Sequence, residues 1–337
     1  MYEAQYYKDI KNKRIAIFGI TPPPIGGVSV HIDRIAKKFT ENNNKVYHFK
    51  TEFRGRRYLL IPYLFYAASF LFYNKIDIVY YHSSYLPNSF TEILFLSRIK
   101  NLFKFIKFNF ILVEHNCRHM YKRNKEDLCK INKALENTEL VVFLWKTTYD
   151  SYFNNNIKFK KYIIDSAFLM PNISNKNEIL KTYPQAIYKF INNHRPILLV
   201  NASIISTLEK DLYGLDKSIN ATYNLKKDYK NIGLIIALAN IGDQKYFESL
   251  KEQIKKLGLQ DNIFFLLDQH EMWPLIEKID IFLRPTLRDG TAISIFEAFI
   301  FKKPVVASNV CTRPEGSIIF DINSQTDFVE KIKEALK

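Results

Sequence analysis

The chain has 337 residues, 47% hydrophobic and 15% aromatic, with 49 Lys/Arg against 34 Asp/Glu for a net charge of +15. Two domains of ordinary size can be filled with apolar side chains, whereas a disulfide framework and a paired-cysteine metal site are excluded, because Cys117, Cys129 and Cys311 have no Cys-x-x-Cys spacing. The charge is uneven: residues 1–170 carry 27 Lys/Arg and 14 Asp/Glu, a net +13, while residues 171–337 carry 22 and 20. An anionic partner is therefore expected on the N-terminal side, either a membrane surface or nucleic acid.

Arg14–Gly19 reads as a short apolar strand running into Thr21-Pro-Pro-Pro-Ile-Gly-Gly. Three prolines forbid helix there, and Gly26 and Gly27 permit tight backbone before a helix over Ser29–Phe39. Lys45–Phe49 and Ile76–Tyr81 are the next predicted strands. Between them, Tyr58–Tyr73 is sixteen residues without a charge, preceded by Arg54, Arg56 and Arg57. A bilayer span needs about 20 apolar residues, and Pro62 interrupts this run. A helix packed on the sheet is expected, with partial insertion into a membrane interface as the other reading. Phe95–Phe110 interleaves Arg98, Lys100, Lys104 and Lys107 with Leu, Ile and Phe, a mixture that anionic lipid attracts.

Phe108–Glu114 and Leu140–Leu144 continue the strand pattern, and strand–helix alternation of this kind makes a mostly parallel, doubly wound sheet. Gly19, His82 and His115 fall at carboxyl ends of strands, where open α/β sheets bind ligands. From Met170 the pattern lapses, so 171–195 reads as a linker. It resumes with strands at Pro196–Asn201, Asn231–Ala239, Asn262–Leu267, Ile279–Leu283 and Pro304–Ser308, and closes with an amphipathic helix over 324–337. The expectation is α/β, with domains at 1–170 and 196–323 facing each other across a cleft, the default ligand site. The polar start, Met1–Ile10, carries no signal-peptide pattern, and with the cysteines it points to a cytoplasmic protein.

The most informative stretch is Arg284–Ala298. Asp289 and Glu297 stand eight positions apart across a helix start, roughly 10 Å along its axis. Helical side chains lean toward the N-terminus, so Glu297 can reach the same mouth as Asp289. Between them the free amides of Gly290, Thr291 and Ala292 offer a phosphate site. Carboxylate, amides, carboxylate suits a hexose, a diphosphate and a ribose laid end to end. Taken alone, the same residues read equally as a solvated Asp in a turn and a Glu on a surface helix.

Thr21–Arg34 resembles the N-terminal glycine loop of retaining GT-B glycosyltransferases of the large family often numbered four, the glycosyl transferases of group 1. Asp289–Ala298 resembles that family's Glu-x7-Glu element, and Lys303-Pro-Val-Val-Ala-Ser its following strand. The resemblance covers residues 13–337 and implies the GT-B fold, two Rossmann-like domains, and transfer of a sugar from a nucleotide-sugar with retention. It implies that Glu297 holds the donor ribose, and that Asp289 touches the donor sugar in place of a Glu one methylene longer. Gly26 and Gly27 approach the donor phosphate or the acceptor, and His115 is the cleft histidine, with Asn116 where the family often has Gly. His31, His82 and Arg118 are assigned to the acceptor side.

The family's Arg and Lys for the leaving diphosphate are absent from Asn201–Asp216, where Tyr213 takes the Lys place. Lys210 is the nearest substitute, with Arg284 and Arg288 as further candidates. No metal or other cofactor is expected, because no Asp-x-Asp element stands at a strand end and helix amides can hold a diphosphate. The expected acceptor is a glycan or a lipid-linked molecule in surface polysaccharide or glycoconjugate synthesis. Rivals are a sugar-nucleotide epimerase or hydrolase, an inactive sugar-binding subunit, and a nucleic-acid-binding protein. The last has no recognition motif, so nucleic acid is not an expected partner.

Overall fold

The computed structural model of the chain describes residues 3–23, 25–51, 60–83, 86–102, 107–115, 124–136, 138–203, 211–289 and 292–337. It divides into two compact units, Met1–Met170 and Pro171–Lys337. In the first, β1 (Arg14–Phe18), α1 (Gly27–Glu41), β2 (Lys45–Phe49), α2 (Leu60–Tyr73), β3 (Ile78–Ser83) and α3 (Leu86–Leu102) follow in turn. They continue into β4 (Asn109–Glu114), α4 (Lys125–Leu135), β5 (Leu140–Phe143), α5 (Lys146–Asn154) and β6 (Tyr162–Ile164). The sheet is parallel, in the order β2-β1-β3-β4-β5-β6.

The second unit begins with a 3-10 turn (Ile173–Asn175), α6 (Lys176–Lys181) and α7 (Gln185–Asn193). Next come β7 (Ile197–Ala202), α8 (Leu215–Leu225), β8 (Gly233–Leu238), α9 (Gln244–Lys256), β9 (Ile263–Leu267), α10 (Trp273–Ile276) and β10 (Ile281–Arg284). The unit ends with α11 (Ile293–Ile300), β11 (Val305–Ser308), β12 (Ile318–Phe320) and α12 (Gln325–Ala335). Its parallel sheet runs β12-β11-β10-β7-β8-β9. Counted from its own first strand this is the Rossmann order 3-2-1-4-5-6.

Strand side chains alternate between two cores. Leu198, Val200, Leu234 and Ile236 pack on one face, and Ile197, Leu199, Ile235 and Ala237 on the other. Burial on both faces explains why these strands read as continuous apolar runs. Two strands escape that signal. β6 and β12 have three residues each, too few for a pattern, and both close the edge of their sheet.

Residues 171–195 are not a linker. Tyr183, Ile187 and Ile191 are buried in the core of the second unit, so α7 belongs to that fold, and the unit starts at Pro171. The polar run Asn172–Asn177 that suggested a linker instead supplies caps: the Asn172 side chain accepts the Ser174 amide at 3.1 Å.

α2 packs on the sheet through Leu64, Ala67 and Leu71, while Ile61, Phe65, Tyr66, Phe72 and Tyr73 are exposed. No helix among the described residues is long and apolar enough to cross a membrane. Phe108 and Phe110 are core residues, and Lys100 is paired with Glu139. Arg54, Arg56, Arg57 and Lys104 lie outside the described residues.

Candidate functional site

A doubly wound sheet has a switch point, where consecutive connections leave toward opposite edges and the strand ends splay apart. In the second unit this lies between β7 and β10. Arg284, the last residue of β10, reaches across it: Nη1 donates to Asn201 Oδ1 at 3.1 Å and to the Asn201 carbonyl at 3.4 Å. Its Nε and Nη2 form a bidentate fork on Asp289, at 2.7 and 3.0 Å. Arg313, from the loop after β11, donates Nη1 to Asp289 Oδ2 at 2.7 Å, and Thr286 Oγ1 donates there at 3.2 Å.

Asp289 therefore accepts four hydrogen bonds, three at Oδ2 and one at Oδ1. Burial alone would raise its pKa, but the Arg284 charge and the bonds from both arginines outweigh burial and hold it below the ordinary carboxylate value. Asp289 is thus the centre of an ion-pair cluster, its side chain 10% exposed, and Oδ1, which holds a single donor, keeps a lone pair for a sugar hydroxyl. Two guanidinium groups against one carboxylate leave the cluster one positive charge in excess.

Arg313 has a side chain only 1% exposed, and sequence reasoning missed it. Its remaining N–H groups go to the Ser308 carbonyl (3.0 Å), Ser308 Oγ (3.0 Å) and Thr286 Oγ1 (3.1 Å). Its place just beyond the carboxyl end of β11 is the signal that could have found it. The loop that carries it lines a cavity of about 510 Å³, with Asn309, Cys311, Thr312 and Glu315 in the wall. Tyr213, read as standing in the family's Lys position, lays its ring near the Arg284 guanidinium, 5.7 Å to the centroid. Gly214, which caps α8 at φ +65°, has no room for a side chain: a Cβ there would lie 2.2 Å from the Pro285 carbonyl oxygen.

Glu297 is buried, 5% exposed, in the otherwise apolar α11. That helix starts at Ala292, which is extended and offers its first turn no side-chain cap. Arg288 is exposed, and Gly290, Thr291, Lys210 and Arg118 lie outside the described residues.

The switch point of the first unit lies between β1 and β3, and three histidines converge there. His31 comes from α1, His82 from β3 and His115 from the end of β4, all three buried. His82 Nδ1 and His115 Nε2 are 3.0 Å apart. His31 Nδ1 is 2.7 Å from the Ala167 carbonyl, which can only accept, so Nδ1 carries the proton and Nε2 accepts from Tyr6 OH at 2.9 Å. Tyr6 is held in place by Asp165, whose carboxylate accepts the Gln5 and Tyr6 amides at 2.8 Å each.

Gly19 brings the elements together: a Cβ there would sit 2.4 Å from Ile32 and 3.2 Å from the His82 Cβ. Burial pulls the His31 pKa down to about 4. Burial, then the neighbouring histidines, pushes His82 and His115 well below the ordinary value, so all three rings are neutral at pH 7. Gly26 caps α1 with extended backbone, its amide donating to Ser29 Oγ at 2.9 Å, and Gly27 opens the helix. A Cβ at Gly26 would meet only Ser29 Oγ at 4.0 Å, so the space beside the loop is open.

Residues 201–337 match the family described as Glycosyl transferases group 1. A stretch of 183 residues is 25% identical to the uncharacterized glycosyltransferase MJ1059 of Methanocaldococcus jannaschii, covering 53% of this chain and 41% of that relative. The matched region thus spans less than half of the relative's length. Among solved structures, HepE of Anabaena in complex with UDP superposes with a TM-score of 0.68 at 14% identity, over 96% of this chain and 90% of that one. A glycosyltransferase from Rickettsia africae gives 0.69 at 15%, over 96% and 88%. A UDP-forming trehalose-phosphate synthase from Burkholderia xenovorans in complex with glucose-6-phosphate gives 0.60 at 12%, over 96% and 92%. The fold expected from the sequence, two Rossmann-like units of the GT-B type, is the fold observed.

Proposed function

Because residues 201–337 form a glycosyl transferases group 1 domain, we propose that the chain moves a sugar, with retention, from a nucleotide-sugar held by its C-terminal unit to a glycan or lipid-linked acceptor held by its N-terminal unit. The observation that carries this reading is the switch point of the second unit. A buried cluster with an excess positive charge and an uncapped helix start suit a diphosphate, and Glu297 follows one turn later to take the ribose. Arg284 and Arg313 then supply the cations missing from Asn201–Asp216, and no divalent ion is needed at the diphosphate.

In the reaction, the bond from the sugar's anomeric carbon to the donor phosphate breaks and the nucleoside diphosphate leaves with its electron pair. The acceptor oxygen attacks on the same face, its proton passing to a donor phosphate oxygen. The protein orients and neutralises charge. The HepE complexes hold UDP and UDP-glucose, which makes uridine-diphosphate sugars the first donors to test. The histidines of the first unit, with Arg118, receive the acceptor. The exposed aromatic face of α2, in the basic half of the chain, supports work at the inner face of a membrane in surface polysaccharide or glycoconjugate assembly.

A thermal-shift screen against nucleotide-sugars, followed by turnover of the best binder with radiolabelled sugar, tests the reading. Glu297→Ala should lower turnover at least about 100-fold; unchanged turnover would sink the assignment. Binding without transfer to any acceptor would favour a sugar-binding subunit, a second reading prompted by Tyr213 in the Lys place and by the Arg missing from Asn201–Asp216. Free sugar released without acceptor would favour a hydrolase.

A further inference from the structure

We infer that His31, His82 and His115 form a three-imidazole site for one zinc ion in the N-terminal unit, with a fourth position open to water or to an oxygen of a bound molecule. One ring nitrogen from each residue lies within 4.8 Å of the other two. A tetrahedral zinc with Zn–N bonds of about 2.0–2.1 Å holds its nitrogens about 3.4 Å apart. The His82–His115 contact of 3.0 Å is already close to that spacing, and His31 closes on them from no more than 4.8 Å.

Two observations separate this cluster from an ordinary hydrogen-bonded core. The first is the Nδ1–H of His31 on the Ala167 carbonyl. Zinc-bound histidines are held in this way, the outer nitrogen on a carbonyl or carboxylate and the inner lone pair directed at the metal. The second is His82, 4% exposed, whose Nε2 has no hydrogen-bond partner among the described residues. A polar nitrogen left unpaired in a core is costly, so the three imidazoles are not a fully satisfied hydrogen-bonded core.

The carriers are a helix and two strands of one parallel sheet, so the ligands are held without help from long loops. Zinc entry displaces the Tyr6 hydroxyl from His31 Nε2 and replaces the His82–His115 hydrogen bond, two bonds exchanged for three metal–nitrogen bonds. Imidazole donors without carboxylate or thiolate select zinc over magnesium or calcium. The site uses the histidines that the sugar-transfer reading gives to the acceptor, but no residue of the donor-binding unit, so the two are tested separately.

The full chain, stripped with chelator and then dialysed against micromolar free zinc, should retain one equivalent by mass-spectrometric metal analysis. Zinc should also raise its melting temperature. His31→Ala, His82→Ala and His115→Ala should each weaken retention at least about tenfold. Since a buried alanine variant can unfold, the wild-type chain loaded with cobalt(II) gives a second readout: intense tetrahedral visible bands and paramagnetically shifted N–H protons from three imidazoles. No retained zinc in the wild type, one full equivalent in a folded histidine variant, or an octahedral cobalt spectrum would each overturn the site. Loss of donor turnover in Glu297→Ala leaves all of these readouts unaffected, so the two proposals fail separately.

Discussion

The two switch points are built alike and filled differently. In the C-terminal unit the strand ends hold two arginines and an aspartate, all charged, locked by seven hydrogen bonds among their own side chains, Thr286, Ser308 and Asn201. In the N-terminal unit the corresponding place holds three neutral imidazoles with a tyrosine against one of them. The first arrangement is stable because every charge has a partner; the second because none of its members is charged. A preformed cationic cluster suits an anionic ligand, whereas uncharged lone pairs suit hydroxyl groups or a metal ion.

The sharpest way to break this contrast is to remove one charge. Asp289→Ala leaves the Arg284 and Arg313 guanidinium groups without their shared carboxylate, and should destabilise the C-terminal unit by about 3–5 kcal/mol in urea unfolding. A loss below about 1 kcal/mol would mean the cluster is solvated in solution.

Acid should separate the units. The histidines have folded pKa values below the unfolded 6.5, so the unfolded chain binds protons first and stability falls as pH drops below 6.5. For His31, with a folded value of about 4, this amounts to roughly 3 kcal/mol at most. Asp289 has a folded value below 3.8, so its contribution persists above 3.8 and is lost only as pH falls through that lower value. Hydrogen exchange on chelator-treated protein should therefore show the N-terminal unit opening first between pH 6 and 4 (about two pH units); simultaneous opening would contradict the charge assignments.

Glu92 in α3 sharpens the same point. It is buried, its Oε2 has no partner among the described residues, and burial pushes its pKa up to about 7. A carboxyl with a raised folded pKa loses stability as pH rises from the unfolded value through the folded one. Glu92→Gln should accordingly stabilise the N-terminal unit by about 1–2 kcal/mol at pH 8 (roughly one unit above that value) and much less near pH 5. The smallest effect is expected at α2: Phe65→Ser with Tyr66→Ser should change stability by less than about 0.5 kcal/mol. It should nonetheless weaken flotation with anionic liposomes, and equal flotation would remove the membrane reading.

Much of the fold was legible because parallel strands buried on both faces advertise themselves as apolar runs, and their ends fix where ligands sit. Ten strands were readable in this way, and β6 and β12, two of the four edge strands, were not, since three residues carry no period. The same pattern marked His82 and His115 as strand-end residues, and Glu297 by its spacing from Asp289. Nothing local showed that Asp289 would be paired with two arginines, that Arg313 would reach it from 24 positions away, or that polar residues after Met170 would begin a folded unit.

The chain order by itself determined the alternation of elements, the presence of two α/β halves and the residues lying at strand ends. Tertiary structure alone decided which of those ends meet. Crossover order places β1 beside β3 and β7 beside β10, and that adjacency brings His31 to His82 and Arg284 to Asn201. The physical reason is that periodicity records only whether a side chain faces a core, whereas pairing among polar groups depends on distances set by the whole sheet.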